Sequence, residues 1–260
     1  MLTVSLPMYG VSHQQVEPFW QALRDKLRQL GMAEVPQALS WPQDLLAHWQ
    51  SPDLLLSQTC GYPSAALLPQ VQLVGTYHYR VEGCSGAHYS SWLVVRDNEP
   101  GERLADFRGR VAAYNSRDSQ SGYNSLLTLV APLAQQGRFF RQAIASGAHY
   151  ESMKMILRGQ ADIAAIDCVS FALLKRAQPQ AVAGLKIIGR TAAVPGLPLI
   201  TAAGTTPRQL ALLRAAASAM VNDPASENLL IGDFSLVPRE AYRVITEHEQ
   251  QAVARGVTAL

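Results

Sequence analysis

No apolar run in this chain outlasts a single strand. The longest candidates, residues 163–166 and 197–203, fall far short of the ~18–20 apolar residues needed to cross a bilayer. Each hydrophobic segment must therefore be one piece of a layered core. Residues 53–57, Asp-Leu-Leu-Leu-Ser, read as a strand buried on both faces, as in a sheet covered by helices. Residues 2–6 form a shorter strand stopped by Pro7, and 71–79 and 91–95 are two more. Between them the period changes. Pro18 opens a stretch in which Trp20, Leu23, Leu27 and Leu30 recur at helical spacing, and Gly31 closes it. Residues 42–50 predict a second helix with Pro42 at its start. Short strands alternating with helices define an α/β chain.

Residues 96–103, Arg-Asp-Asn-Glu-Pro-Gly-Glu-Arg, are charged and turn-rich, the composition of a domain boundary. The alternation then restarts. Residues 109–114 predict a strand, 122–136 a helix with Pro132 inside it, 151–157 a helix, and 162–166 a strand. Residues 169–176 form a helix and 185–189 a strand. Pro195-Gly196-Leu197-Pro198 is the second strong break. Beyond it come a strand over 199–203, a helix opened by Thr206-Pro207 and running to residue 222, and a C-terminal helix over 241–255. The expected organisation is two lobes, residues 1–95 with 199–260 and residues 96–198, joined by a double hinge crossing.

Composition narrows the function classes. With 48% hydrophobic and 16% charged residues the chain is folded, not disordered. Lys+Arg 22 against Asp+Glu 20 gives a net charge of +2, which leaves no footprint for nucleic acid. Neither nucleic-acid binding nor membrane insertion is expected. Cys60, Cys84 and Cys168 are an odd, scattered set without a CxxC pair, which suits a reducing compartment. They read as small buried hydrophobes, not nucleophiles. Residues 1–7 enter a strand without the basic and apolar regions of a leader, so the expected location is cytoplasmic, or periplasmic where a leader has been removed. The histidines at 13, 48, 78, 88, 149 and 248 show no HxxxH or HExxH spacing. No metal, cofactor or catalytic residue is expected.

Four junctions place hydroxyl or amide residues between a strand end and a helix start: 57–63, 115–124, 146–152 and 166–170. Such junctions offer unpaired backbone amides and a positive dipole end, which suit an anion. Together they point to a ligand crevice at the strand ends. The second is the richest, with Ser116, Ser119, Gln120 and Ser121 ahead of Gly122. It lacks the lysine of a P-loop and the glycine spacing of a dinucleotide site, so neutral donors would hold the oxyanion. Asp167 has two readings, a cap on the following helix through Val169 or Ser170, or a ligand acceptor that also holds His149. Asp162 reads as a surface residue.

The run from Leu104-Ala-Asp-Phe-Arg-Gly-Arg-Val-Ala-Ala to Ser119-Gln-Ser-Gly-Tyr123 resembles the phosphonate-binding periplasmic protein family. So does the block from Gly147-Ala-His149 to Ala164-Ala-Ile-Asp167, and Val194-Pro-Gly-Leu-Pro-Leu is similar to the family's return crossing. The resemblance covers residues 1–235 and implies a type II periplasmic-binding-protein fold, with two mixed sheets flanked by helices. It implies a solute-binding protein closing two lobes over a small anionic ligand such as a phosphonate or phosphate. It assigns Ser119, Ser121, His149 and Asp167 to the ligand from the second lobe, and Tyr89 and Tyr9 from the first; Gln120 of the polar junction and Thr59 of the first lobe are expected to join them. Thr59-Cys60-Gly61-Tyr62 stands where the family carries an aromatic loop. An ABC permease is the implied partner if the chain is exported, and the protein is expected to be a monomer. Two other readings stand beside this one: an enzyme on the same fold, akin to thiamine-pyrimidine synthases or lyases, and a cytoplasmic small-molecule sensor.

Overall fold

The computed structural model describes residues 1–9 and 13–260. Its strands are β1 (Thr3–Ser5), β2 (Leu54–Gln58), β3 (Gln72–Tyr79), β4 (Cys84–Ser85), β5 (His88–Tyr89), β6 (Ser91–Arg96), β7 (Val111–Tyr114), β8 (Gln142–Ala145), β9 (Ile163–Asp167), β10 (Leu185–Arg190), β11 (Val194–Pro195), β12 (Pro198–Thr201) and β13 (Ile231–Ser235). The helices are α1 (His13–Gln29), α2 (Leu45–Trp49), α3 (Ser125–Val130), α4 (His149–Leu157), α5 (Cys168–Ala177), α6 (Pro207–Ala219) and α7 (Arg243–Ala254). The chain divides into two α/β units, Met1–His88 with Pro195–Tyr242, and Tyr89–Val194 with Arg243–Leu260.

The first unit carries a mixed sheet in the order β1-β2-β12-β3-β13. β1 runs parallel to β2, and the remaining pairings are antiparallel. β2 is buried along its whole length between two neighbours, as its unbroken leucine run requires. Helix α1 buries Val16, Phe19, Trp20, Leu23 and Leu27, each worth about 1.5–3 kcal/mol of transfer free energy. Pro18 lies inside α1, not at its start. It sits on the exposed side, where the missing amide leaves only a solvated carbonyl unpaired. Leu30, expected in the core, falls past the end of α1 and is 43% exposed. Helix α2 starts at Leu45, because Asp44 caps it by accepting from the Ala47 amide at 3.0 Å; Pro42 stands ahead of the helix.

The second unit carries the order β10-β6-β9-β7-β8. β9, β7 and β8 are parallel, and β6 runs antiparallel to both β9 and β10. Leu93, Val95, Phe107, Leu126 and Ile163 form its core. The boundary expected at residue 95 lies instead after His88, since β6 is an interior strand of this sheet. The charged segment that reads as a linker is a staple within the unit. Arg96 donates to the Ile156 and Ala161 carbonyls at 3.0 Å each and to Asp162 at 3.2 Å. Glu99, only 6% exposed, receives Arg96 and Arg110 at 3.4 Å each. Asp162 is not a bare surface residue, for it also accepts from the Val111 amide at 2.9 Å.

Helix α7 belongs to the second unit, against the expectation that 199–260 stays with the first. Its Ala252, with Val257 beyond it, packs on Tyr114, Tyr123 and Leu127. The chain therefore changes units at three places, within β5, within β11 and at Tyr242–Arg243. The long helix expected over 122–136 is only α3. Residues 120–124 form a wide five-residue turn ahead of it, and Pro132 sits in a tight turn that ends it.

Candidate functional site

The wide turn Gln120–Asn124 follows β7 and opens α3. An opening turn leaves its leading amides without intrahelical acceptors. Ser119 caps it: its Oγ accepts from the Gly122 amide at 3.0 Å. Ser119 and Ser121 are nearly buried, and their hydroxyl oxygens lie 3.5 Å apart. Asn124 anchors the far end, donating to Gln120 Oε1 at 2.8 Å and to the Ile245 carbonyl of α7 at 3.0 Å. The turn is thus held by the C-terminal helix, a tie that no local pattern announces.

His149, the first residue of α4, meets this turn directly. Its Nε2 lies 2.8 Å from Ser121 Oγ. The ring is partly exposed, its Nδ1 is buried without a partner, and burial lowers its pKa from 6.5 to about 4. The imidazole is therefore neutral at ordinary pH. Gly122 makes the approach possible. A Cβ there would stand 2.0 Å from Asn115 Oδ1 and 3.2 Å from His149 Cε1. Asn115 Oδ1 is likewise buried and unpartnered. Asn115, Gly122 and Asn124 were visible in the sequence only as parts of a polar junction. Their roles depend on contacts with α4 and α7, which sequence spacing does not report.

Asp167 ends β9 and caps α5. Its Oδ1 accepts from the Val169 and Ser170 amides at 2.6 and 3.1 Å. The cap reading is met, and no hydrogen bond joins Asp167 to His149 among the described residues. Asp167 is 2% exposed, and that burial raises its pKa from 3.8 to about 6 although the two amides oppose the shift. Tyr89, Gln120 and Ser121 border one narrow cleft with Ser91, Ser125 and Thr191 that has no room for a water molecule. The structure thus brings Ser119, Gln120, Ser121 and His149 into one cluster, with Tyr89 across that cleft.

Tyr9 and Thr59 belong to the first unit. Tyr9 is 1% exposed, its hydroxyl accepts from Tyr79 at 3.3 Å, and burial pushes its phenol pKa up. Thr59 is fully buried, with its hydroxyl on the Cys60 carbonyl at 3.4 Å. Of the other junctions, Ser57 bonds Ser5 at 2.7 Å and receives the Trp49 indole at 3.1 Å, which makes it a core tie. Ser146 is engaged by Tyr114, Ala148 and Ser152. Among the described residues no group of three His, Cys, Asp or Glu could hold a metal ion. No helix there is long and apolar enough to cross a membrane.

This geometry offers a polar turn with neutral donors and a hydroxyl–imidazole pair. Residues 11–232 match the family described as "ABC transporter, phosphonate, periplasmic substrate-binding protein". The chain belongs to that family. Membership makes it a transport substrate-binding protein and implies a small ligand and a permease partner. The family is periplasmic in ABC importers. No protein of curated function matches by sequence. Solved structures do. A binding-protein component of an ABC phosphonate transporter from Pseudomonas aeruginosa is 15% identical at TM-score 0.79, over 98% of this chain and 87% of that one. PhnD1 from Prochlorococcus marinus, in complex with methylphosphonate, is 14% identical at TM-score 0.77, over 96% and 97%. A Xanthomonas citri protein bound to ATP is 16% identical at TM-score 0.70, over 98% of each chain. At these identities the likeness shows the fold, that of the two-unit periplasmic binding proteins.

Proposed function

We propose that this family member binds a phosphonate-like oxyanion at the turn that opens α3. The observation that carries the reading is the 2.8 Å bond between Ser121 Oγ and His149 Nε2, beside the Ser119 cap. The leading amides and the two hydroxyls supply donors at the positive end of the turn. The resemblance that assigns these residues and the cluster they form support each other. Gln120 positions Asn124, and Tyr89 with Asp167 borders the ligand. Tyr9 is a ligand contact on the resemblance alone, and Thr59 on its place after the buried strand β2. The protein works as a periplasmic monomer that delivers its ligand to a permease.

Binding, not catalysis, is its role. Ser121 and His149 have the separation of a nucleophile and base, but a base needs an orienting third group. The carboxylate available for that, Asp167, receives the Val169 and Ser170 amides instead. Titration calorimetry with methylphosphonate tests the reading. Ser121→Ala and His149→Ala should each weaken binding by roughly 1–3 kcal/mol, as for hydrogen bonds to a charged group. Unchanged affinity in both variants would place the ligand elsewhere.

A further inference from the structure

Around the turn lie polar atoms that no protein group satisfies. Asn115 Oδ1 and His149 Nδ1 are buried without partners, and they flank the same glycine, Gly122. Buried polar atoms left over in this way point to a water, an ion or a function.

Their chemistry is specific. Amides and hydroxyls at the turn donate to an anion, whereas a carbonyl oxygen such as Asn115 Oδ1 can only accept. An acceptor facing a bare oxyanion repels it unless a proton lies between them. The Ser121–His149 pair obeys the same inventory. A neutral imidazole and a hydroxyl hold two exchangeable hydrogens, and one is used in the 2.8 Å bond between them. In either tautomer the pair then presents one donor and one acceptor to its surroundings. The whole cluster therefore complements an oxyanion that carries one hydrogen.

We propose that the site takes its ligand as a singly protonated oxyanion, with Asn115 Oδ1 accepting the ligand's O–H. It thereby selects phosphonic over sulfonic acids. This rests on the reading of Ser119, Ser121 and His149 as the oxyanion site. A sulfonate has the same tetrahedral shape and charge as a phosphonate monoanion but has no hydrogen to give. Facing it, the acceptors stay unpaired, which is the situation in which a polar site discriminates strongly.

The test is calorimetric titration of the intact protein with methylphosphonate and with methanesulfonate, slightly below neutral pH where both are monoanions. Methylphosphonate should bind on the order of 100-fold more tightly or better. Asn115→Ala should cut that ratio roughly tenfold by weakening methylphosphonate while leaving methanesulfonate unchanged. Asn115→Asp keeps an acceptor in place and should retain the ratio, which guards against a misfolded alanine variant. Equal affinity of the native protein for the two anions overturns the proton-reading proposal and leaves the oxyanion site standing. Binding of neither overturns the site itself. An equal loss for both anions in Asn115→Ala overturns the role of Asn115 in reading the proton.

Discussion

Asp167 and His149 are displaced in opposite directions, so replacing one should expose the other in the pH dependence of stability. The Asp167 pKa rises from 3.8 to about 6, and the His149 pKa falls from 6.5 to about 4. A raised carboxyl contributes stability that is fully present below 3.8 and lost as pH climbs through about 6. A depressed imidazole contributes stability that is present above 6.5 and lost as pH falls through about 4. At about 1.4 kcal/mol per pH unit, each displacement corresponds to about 3 kcal/mol, with that of the partly open His149 reduced by solvent screening. The two slopes oppose each other, and the native protein should be nearly flat in stability across that interval. Asp167→Asn keeps the α5 cap, since asparagine accepts from backbone amides as aspartate does, and removes only the carboxyl titration. The variant should exceed the native protein by up to about 3 kcal/mol in mildly alkaline buffer. That gain should vanish once the pH falls below the ordinary aspartate range. Urea unfolding midpoints at constant slope measure the difference directly. An offset between the two proteins that does not change with pH would refute the argument, because it would mean that Asp167 does not titrate differently on folding.

Ser121→Ala and His149→Ala, combined in a double-mutant cycle for methylphosphonate binding, should couple by roughly 0.5–3 kcal/mol, and strict additivity would mean the two act apart. Gly122→Ala should destabilise the protein by roughly 1–3 kcal/mol in thermal unfolding, because its Cβ would stand 2.0 Å from Asn115 Oδ1. An unchanged midpoint would show that Asn115 moves aside freely. Asn124→Ala removes the donor to the Ile245 carbonyl. Amide exchange in α7 should accelerate relative to that in β9, and unchanged protection would deny the tie.

What the sequence disclosed depended on whether the deciding contact was local. β2 was legible because a strand buried on both faces must be apolar at every position, and Leu54, Leu55 and Leu56 are. The cap at Asp167 was legible because an N-cap acts on amides two and three residues ahead. Residues 96–103 misled for the opposite reason. Arg96 and Glu99 have the composition of a solvated linker, yet they pair with each other and Arg96 reaches Asp162, 66 residues away in the same unit. Helix α7 shows the same limit. Its pattern announces a buried face, but only the structure shows Ala252 against Tyr123 and Leu127. The candidate site divides along this line too. Ser119, Ser121 and His149 lie in recognisable runs, and the structure brings them within hydrogen-bonding reach. Asn115 lies in the same polar run, but its importance comes from an unpaired oxygen beside Gly122 and His149. A residue that matters through what it lacks leaves no mark on composition or spacing. On the proton-reading proposal, such unpaired acceptors, more than the donors of the turn, would determine which protonation state of an oxyanion the site accepts.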